Sequence, residues 1–399
     1  MTNCFLIDNL TSECIIEELN TIGVDPAGIK IMLPKFSFIY IKIKHLDPKQ
    51  AIIIKQEMLS KGGEAAYSRN TLLNNNKSTD MLIGGTMKMF NDLSNSLSFQ
   101  PFNLKTIAKE INNIIKHKNN HIKPLKLKNK AFDFNHNIYV MGILNLSPDS
   151  FYDGRKYTNI NQTLKYTEKM LADGADIIDI GGESTRPGSK PISSDLEIKR
   201  TIPALIAIKK RFKTTISIDT YKPLVAKAAI DEGAEIINDI TGLSSKKIID
   251  LAVKNKTAVI IMHMQNKPQN MQKKPYYKDV ISEVYSFLKE RRDLSLKKGL
   301  LEEKIILDPG IGFGKLLIHN IKLIKHLRTF KSLNCPILIG PSRKSMIGQI
   351  LNKEPKDRLM GTSAVVTLSL NNGANIIRVH DVGEMKDVVN IVSHFNKAP

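Results

Sequence analysis

The chain has 399 residues and a formal net charge of +20, because 59 Lys and Arg outnumber 39 Asp and Glu. Apolar residues make up 42% and charged residues 25%, a balance typical of folded domains, which excludes wholesale disorder and a coiled-coil rod. Since one core usually stops growing near roughly 250 to 300 residues, the length predicts one large domain and one small one.

The sequence composition also limits the kinds of binding partner and the cellular compartment that we expect. No run approaches the roughly 18 apolar residues of a membrane helix, and the N-terminus lacks a basic stretch followed by an apolar core. The three cysteines have no CxxC spacing, so neither a disulfide framework nor a cysteine zinc site is expected. We therefore predict a cytoplasmic protein without membrane contact. No nucleic-acid-binding motif accompanies the positive charge, so we expect no nucleic acid partner.

Residues 1–115 have the pattern of a small α/β unit, with β-branched runs, an amphipathic stretch ending at two glycines, and further helical stretches. No catalytic constellation occurs in this extension, and its role stays open. The predicted elements are strands at 36–43 and 80–85 and helices at 47–63, 86–97 and 103–116.

Residues 116–137 are predicted to be a basic linker. Six lysines and no acidic residue lie between Lys116 and Lys130, a composition typical of a solvated segment. The second domain is therefore expected to span 138–399.

In the second domain, short and nearly continuous apolar runs alternate with amphipathic helical stretches, as expected for parallel strands covered on both faces. Eight such units match a (β/α)8 TIM barrel, whose typical size is about 250 residues. A doubly wound open sheet is the alternative. The predicted strands are 138–144, 176–180, 215–219, 235–239, 258–263, 304–308, 336–340 and 375–380.

Polar side chains stand at the carboxyl end of every predicted barrel strand, where the loops of such a barrel build its active site. Each alone could be a helix cap, but a ring of amide, carboxylate, imidazole and guanidinium groups suits a polar, anion-bearing substrate. Amide and carboxylate groups suit the donor–acceptor edge of a heterocycle, here Asp219, Asn238 and Asp308. The groups suited to phosphate and a hard metal ion are Arg378, His380, Asn145 and Lys344.

Several familiar motifs are absent. The glycine-rich stretch 308–316 is not a Walker A loop, because Pro309 and Leu316 replace residues which that loop requires. Its glycines are expected to let the backbone approach a flat ligand, with Phe313 beside it. Met262 belongs either to the core or to the wall of an aromatic ring site. There is no HExxH pair and no GxSxG elbow.

Eight stretches with polar residues and glycines follow one another along the second domain: MGILNLSPDSFYDG (141–154), GADIIDIGGESTRPGS (174–189), SIDTYKP (217–223), INDITG (237–242), MHMQNKPQNMQ (262–272), LDPGIGFGK (307–315), GPSRKSMIG (340–348) and RVHDV (378–382). With these stretches in this order, the chain from about 138 onward resembles the dihydropteroate synthases of the folate pathway. Ser147 stands where many relatives have threonine, which keeps the hydroxyl.

The N-terminal extension is absent from the shortest members of that family. Some folate proteins carry a hydroxymethyldihydropterin pyrophosphokinase there, but no acidic metal pair of that kind is present. A structural or regulatory extension is the expectation.

The resemblance implies condensation of 6-hydroxymethyl-7,8-dihydropterin diphosphate with 4-aminobenzoate, giving 7,8-dihydropteroate and diphosphate, with Mg2+ held at Asn145 and a homodimeric assembly. It also implies that the loop 147–157 closes over the site, with Asp149 and Phe151. By resemblance, the catalytic residues are Asp219, Lys344, Arg378 and His380. The substrate-binding residues are Thr185, Arg186, Pro187, Asp219, Asn238, Met262, Asp308, Phe313, Ser342, Lys344, Arg378 and His380.

Two alternatives remain open from the sequence. One is a methyltetrahydrofolate-binding methyltransferase barrel, which shares the Asp and Asn contacts to the pterin. The other is a pterin-binding module without turnover.

Overall fold

A computed structural model describes residues 4, 7, 11–71, 78–119, 121–128, 130–147, 159–184 and 188–397. The chain divides into two compact units, the first ending at Asn120 and the second running from His121 to Lys397.

The first unit is a three-stranded antiparallel sheet with helices, in strand order β1–β3–β2, which confirms the predicted α/β region. Its core joins the sheet to α3, α4 and α5 through buried side chains such as Ile54, Ile83 and Phe90. The pattern did not predict α1, α2 or β2. The elements are α1 (Ser12–Ile22), α2 (Pro26–Phe36), β1 (Phe38–Leu46), α3 (Pro48–Ser60), β2 (Glu64–Tyr67), β3 (Thr79–Thr86), α4 (Met87–Leu97) and α5 (Leu104–Asn119).

The segment predicted to be a linker, 116–137, is structured. Helix α5 continues to Asn119, and a short hairpin of β4 (Leu125–Lys126) and β5 (Ala131–Phe132) follows. Leu125 and Phe132 are fully buried against the inward-facing residues at the amino-terminal end of the barrel. The hairpin lysines stay at the surface, where Lys130 pairs with Asp176 at 2.6 Å. The high lysine content concealed the few apolar residues that close the barrel floor.

Within the described residues, eight parallel strands form one sheet in the order β11–β10–β9–β8–β7–β6–β13–β12. A bridge between Leu307 and Ile337 joins its two ends, so the sheet closes into the predicted barrel and the open-sheet alternative is wrong. All eight predicted strands are present. The strands are β6 (Tyr139–Asn145), β7 (Ile177–Gly181), β8 (Thr215–Asp219), β9 (Ile236–Asp239), β10 (Ala258–Met262), β11 (Ile305–Asp308), β12 (Leu338–Ile339) and β13 (Ile376–Val379).

Helices follow the strands and cover the outside of the barrel, where a large apolar core lies between the two layers. None of the helices in the described ranges is long and apolar enough to cross a membrane. The helices are α6 (Ile160–Ala172), α7 (Ser194–Arg211), α8 (Pro223–Asp231), α9 (Lys246–Asn255), α10 (Val280–Lys297), α11 (Leu317–Lys325), α12 (Ser345–Leu351), α13 (Leu359–Asn371) and α14 (Val382–Lys397).

The two-residue repeat of a strand decides which polar groups face the barrel interior. In β9, Ile236 packs in the interior core and Ile237 in the outer core, so Asn238 faces inward again. The same alternation turns the side chains of Asp308 and Arg378 inward. Polar groups at the carboxyl end of the barrel therefore stand on top of an apolar floor.

Candidate active site

The carboxyl ends of the barrel strands open into a cavity of about 1320 Å³. Asn238, Met262 and Asp308 are buried on the inward face of the same strand ends and do not line it. Thr185, Arg186, Pro187 and the predicted closing-loop residues 148–157, including Asp149 and Phe151, lie outside the described residues. Of the residues predicted from the sequence, the cavity wall contains Asn145, Ser147, Asp219, Phe313, Ser342, Lys344, Arg378 and His380.

One arginine connects two carboxylates across the barrel. Arg378 donates from Nε to Asp179 Oδ2 at 2.6 Å and from Nη2 to Asp219 Oδ2 at 2.7 Å. Asn238 donates from Nδ2 to the same Asp179 oxygen at 3.1 Å. Charge-assisted bonds of this length hold the guanidinium firmly. Three predicted site residues are therefore joined through Asp179, which we did not predict.

The sequence holds a partial signal for Asp179. It lies in the predicted strand 176–180, two residues after Ile177, so its side chain faces the same side as the inward-facing Ile177. A carboxylate facing the interior of a barrel needs a cationic partner, because an unpaired buried charge is strongly destabilising. Its Oδ1 has no hydrogen-bond partner among the described residues.

Burial raises the pKa of Asp219 to about 7, and Asp179 contributes further in that direction. Arg378 opposes both effects but does not cancel them. The Asp219 carboxyl group is thus poised to change its charge near neutral pH, a property common among groups that act in catalysis.

The loop after β11 presents Asp308 and Phe313. Asp308 Oδ1 accepts a hydrogen bond from the Gly310 N–H at 2.7 Å, while burial raises the Asp308 pKa to about 6. The Lys344 ammonium lies 4.0 Å from the centroid of the Phe313 ring. Burial, and then the neighbouring Arg378, lower the Lys344 pKa to about 8. An aromatic face and a cation therefore meet at one side of the cavity, and the Asp308 carboxylate is buried near the cation.

His380 is a neutral imidazole, because burial and then Arg378 lower its pKa to about 3. Its Nδ1 lies 3.0 Å from Ser342 Oγ, which also accepts the His380 backbone N–H at 3.3 Å. The neutral ring carries its single proton on Nδ1 or on Nε2, and the Ser342 hydroxyl can donate to Nδ1 or accept from it. His380 therefore carries no charge at this site.

A second buried ion pair positions Ser342 and Lys344. Between them, Arg343 has a left-handed backbone, with φ of 55°. Its guanidinium forms a bidentate pair with Asp381 at 2.7 and 2.8 Å and also donates to the carbonyls of residues 355 and 356. Since Asp381 follows His380, this pair fixes the loop after β12 to the loop after β13. The sequence did not assign Arg343 a role.

Asn145 lies at the end of β6, with its Oδ1 close to Gly181 and on the same side as the Asp219 carboxylate. No cluster of three or more His, Cys, Asp or Glu able to hold a metal ion occurs among the described residues. A single amide oxygen fits a Mg2+ ion that takes its other ligands from water and phosphate oxygens. It does not fit a metal ion held by protein groups alone.

A family model described as "Pterin binding enzyme" matches residues 141–380, the part of the chain that forms the barrel strands and the cavity. The dihydropteroate synthase of Escherichia coli strain K12 is 45% identical over 254 residues, which cover 64% of this chain and 90% of the relative. The chain belongs to the dihydropteroate synthase family. The predicted transferase activity in folate biosynthesis is confirmed with it, and the methyltransferase alternative is wrong.

Two further similarities bear on the substrates and on the extension. The dihydropteroate synthase of Thermus thermophilus, solved in complex with 4-aminobenzoate, has a TM-score of 0.62 and 35% identity, covering 68% of this chain and 99% of that one. A probable bifunctional folylpolyglutamate synthase/dihydropteroate synthase of Haloferax volcanii is 36% identical over 86% of this chain and 42% of its own length. The aligned part of this chain, 352 residues, is longer than the second unit, so the alignment also includes part of the first unit.

Proposed function

We propose that the cavity joins 6-hydroxymethyl-7,8-dihydropterin diphosphate to 4-aminobenzoate by holding the heterocycle and the diphosphate at separate groups of side chains. The observation that supports this most strongly is the Asp219–Arg378–Asp179 connection beside Asn238, because it places a carboxylate, an amide and a guanidinium at one barrel mouth. The extension is proposed to be structural or regulatory.

The heterocycle is assigned to the inner part of the site. Asp308 and Asn238 offer acceptor and donor atoms at the inward face of strand ends in the same barrel, where paired hydrogen bonds select a flat ring. Lys344 lines the cavity beside this part of the site, and Met262 is buried next to Asp308 in the neighbouring strand. Asp219 faces the cavity and is assigned to the part of the ring next to the methylene group, where positive charge develops during the reaction.

The diphosphate is assigned to Arg378, His380 and Asn145. When the C–O bond to the leaving group stretches, negative charge grows on the diphosphate and positive charge grows on the methylene and the ring. A guanidinium and an imidazole N–H stabilise the first, while the Asp219 carboxylate stabilises the second. Bound at Asn145, Mg2+ would supply further neutralisation of the diphosphate oxygens.

The aminobenzoate is assigned to the side of the cavity formed by Phe313, Lys344 and Ser342, together with the predicted residues Thr185, Arg186 and Pro187. An aromatic face and a cation suit a benzoate, since one packs on the ring and the other attracts the carboxylate. An aniline nitrogen attacks without losing a proton first. No dedicated general base is required by this proposal.

Incubation of the chain with both substrates and Mg2+ tests the function. We expect dihydropteroate and diphosphate to form in equal amounts, measured by mass spectrometry and by a phosphate assay after pyrophosphatase. Binding of the pterin without any product would instead support the module without turnover.

Replacing Asn145 with Ala is expected to weaken substrate binding about ten-fold in the presence of Mg2+, because one metal ligand is lost. In EDTA the two proteins should bind the diphosphate substrate alike. Isothermal titration with and without Mg2+ measures both affinities. An equal loss in EDTA would contradict metal binding and show a direct contact.

We further propose a homodimer formed through barrel helices. Helices α13 and α14 pack on each other and leave Leu368 and Ile391 more than half exposed. The double variant Leu368→Glu/Ile391→Glu should weaken dimerisation by about 100-fold, because it places charges in an apolar interface. Analytical ultracentrifugation measures this, with Leu224→Glu on α8 as the matched control. A dimer of unchanged affinity in the double variant would contradict this interface.

A further inference from the structure

The loop after β11, residues 308–316, is folded around the side chain of its own lysine. The ammonium of Lys315 is buried and lies 2.9 Å from the Gly310 carbonyl and 3.0 Å from the Phe313 carbonyl. It also contacts His263 twice, at 2.9 Å from Nδ1 and 3.3 Å from the backbone oxygen. These contacts join the loop after β11 to the loop after β10.

Two other carbonyl groups of the loop have different partners. Gly312 accepts a hydrogen bond from Gln272 at 2.7 Å, and Gly314 accepts one from the Tyr277 hydroxyl at 2.9 Å. The Gly310 and Phe313 carbonyls instead point inward to the Lys315 side-chain nitrogen, which is the reverse of a loop that binds phosphate through N–H groups.

Glycine is required for this shape at two positions. Gly310 has φ of 71°, and a Cβ there would clash with the His263 carbonyl oxygen. Gly314 has φ of 62°, and its Cβ would lie 2.7 Å from the Gln265 carbonyl oxygen. The close approach of the two loops therefore depends on glycine, and the lysine fills the space between them.

His263 takes part as an acceptor. Burial and the Lys315 charge lower the His263 pKa to about 2, so the imidazole is neutral and its Nδ1 lone pair faces the ammonium. Four acceptors surround the Lys315 nitrogen, so each of its N–H groups has a partner. Burial lowers the Lys315 pKa to about 7, and the Asp308 carboxylate opposes this shift.

We propose that Lys315 is a positioning residue that holds Phe313 against Lys344 and thereby shapes the site for the aromatic amine. The link is short, because one carbonyl that Lys315 holds belongs to Phe313 itself. The Phe313 ring in turn contacts the Lys344 ammonium, which lies 4.0 Å from the ring centroid. The effect on the second substrate rests on the proposed function, whereas the effect on the loop does not.

The chain contains no tryptophan, so Phe313→Trp introduces a single fluorescent reporter at the loop. In this background, Lys315→Met removes all the side-chain N–H donors at similar side-chain length. We expect a red shift of the emission and a rise of about two-fold or more in acrylamide quenching, because a loop that has lost its central contacts opens to solvent. Lys315→Gln, which keeps two N–H donors, should give an intermediate change.

Lys325→Met provides the matched control, since Lys325 is an exposed lysine on the following helix α11. It should leave the emission unchanged. Unchanged emission and quenching in Lys315→Met would overturn the proposal. Loss of the far-ultraviolet circular dichroism signal in both Lys315 variants would overturn it as well, because a residue that only positions this loop should leave the rest of the fold intact.

Kinetics in the background with Phe313 intact supply the second measurement. The KM for 4-aminobenzoate should rise about ten-fold in Lys315→Met, with a smaller change in the KM for the pterin diphosphate. Equal changes in both would contradict a role centred on Phe313. Absence of product from the unmodified chain would sink the proposed function, while the fluorescence result would still decide the role of Lys315.

Discussion

Replacing Asp219 with Asn should lower kcat by about 100- to 1000-fold, while the KM for the pterin diphosphate changes little, because the carboxylate charge matters most when positive charge develops on the ring. The amide keeps the size of the side chain and can still accept from Arg378. Stopped-flow or steady-state measurement of diphosphate release gives both constants. Asp308→Asn is the comparison, for which we expect mainly a higher KM.

The pH dependence provides an independent check on Asp219. Since its pKa in the free protein is raised to about 7, protonation below that value removes the charge, and kcat/KM should fall as the pH drops below neutral. In Asp219→Asn this acidic fall should disappear or move to lower pH. An unchanged profile, or a variant in which only KM rises, would contradict the charge-stabilising role.

Replacing Arg378 with Met should lower the free energy of unfolding by about 3 to 5 kcal/mol, because two buried carboxylates lose their common partner. Asp179 is fully buried and its Oδ1 already lacks a partner among the described residues, so it has no route to water. Product formation should be lost at the same time, since the diphosphate loses its guanidinium. Urea unfolding followed by circular dichroism measures the first effect and the coupled phosphate assay the second.

The double variant Arg378→Met/Asp179→Asn separates the two roles. Removing the unpaired charge of Asp179 should recover a large part of the lost stability, in the manner of a double-mutant cycle, but none of the activity. Equal stability of the single variant and the unmodified chain would show that the pairs contribute nothing to folding. Recovered activity in the double variant would contradict a direct role of Arg378.

The barrel was predictable because each of its strands is a short apolar run that ends in a polar residue. The run at 235–239, for example, predicts strand β9 and places Asn238 at its carboxyl end. The periodic pattern only locates polar side chains at the ends of the strands. The family resemblance then assigned roles to many of them. The two sources together account for the predicted site residues that lie at the cavity or directly beneath it.

The remainder depended on contacts between distant segments. Asp179 and Arg343 have ordinary local patterns, and their importance arises from partners 199 and 38 residues away. The segment 116–137 was predicted to be a basic linker, yet its Phe132 and Phe134 close the barrel floor, because burial of a few aromatic rings outweighs a high density of surface lysines. The periodic pattern can indicate the direction of a side chain such as Asp179, but it does not reveal its distant partner.

The most direct test of the whole account is a crystal structure of the full chain with the dihydropterin diphosphate bound in the absence of aminobenzoate. We expect the ring edge within hydrogen-bond distance of Asn238 and Asp308, the methylene facing Asp219, and the phosphate oxygens contacting Arg378 and His380. A heterocycle bound outside the barrel mouth, or a diphosphate directed away from Arg378 and His380, would contradict it.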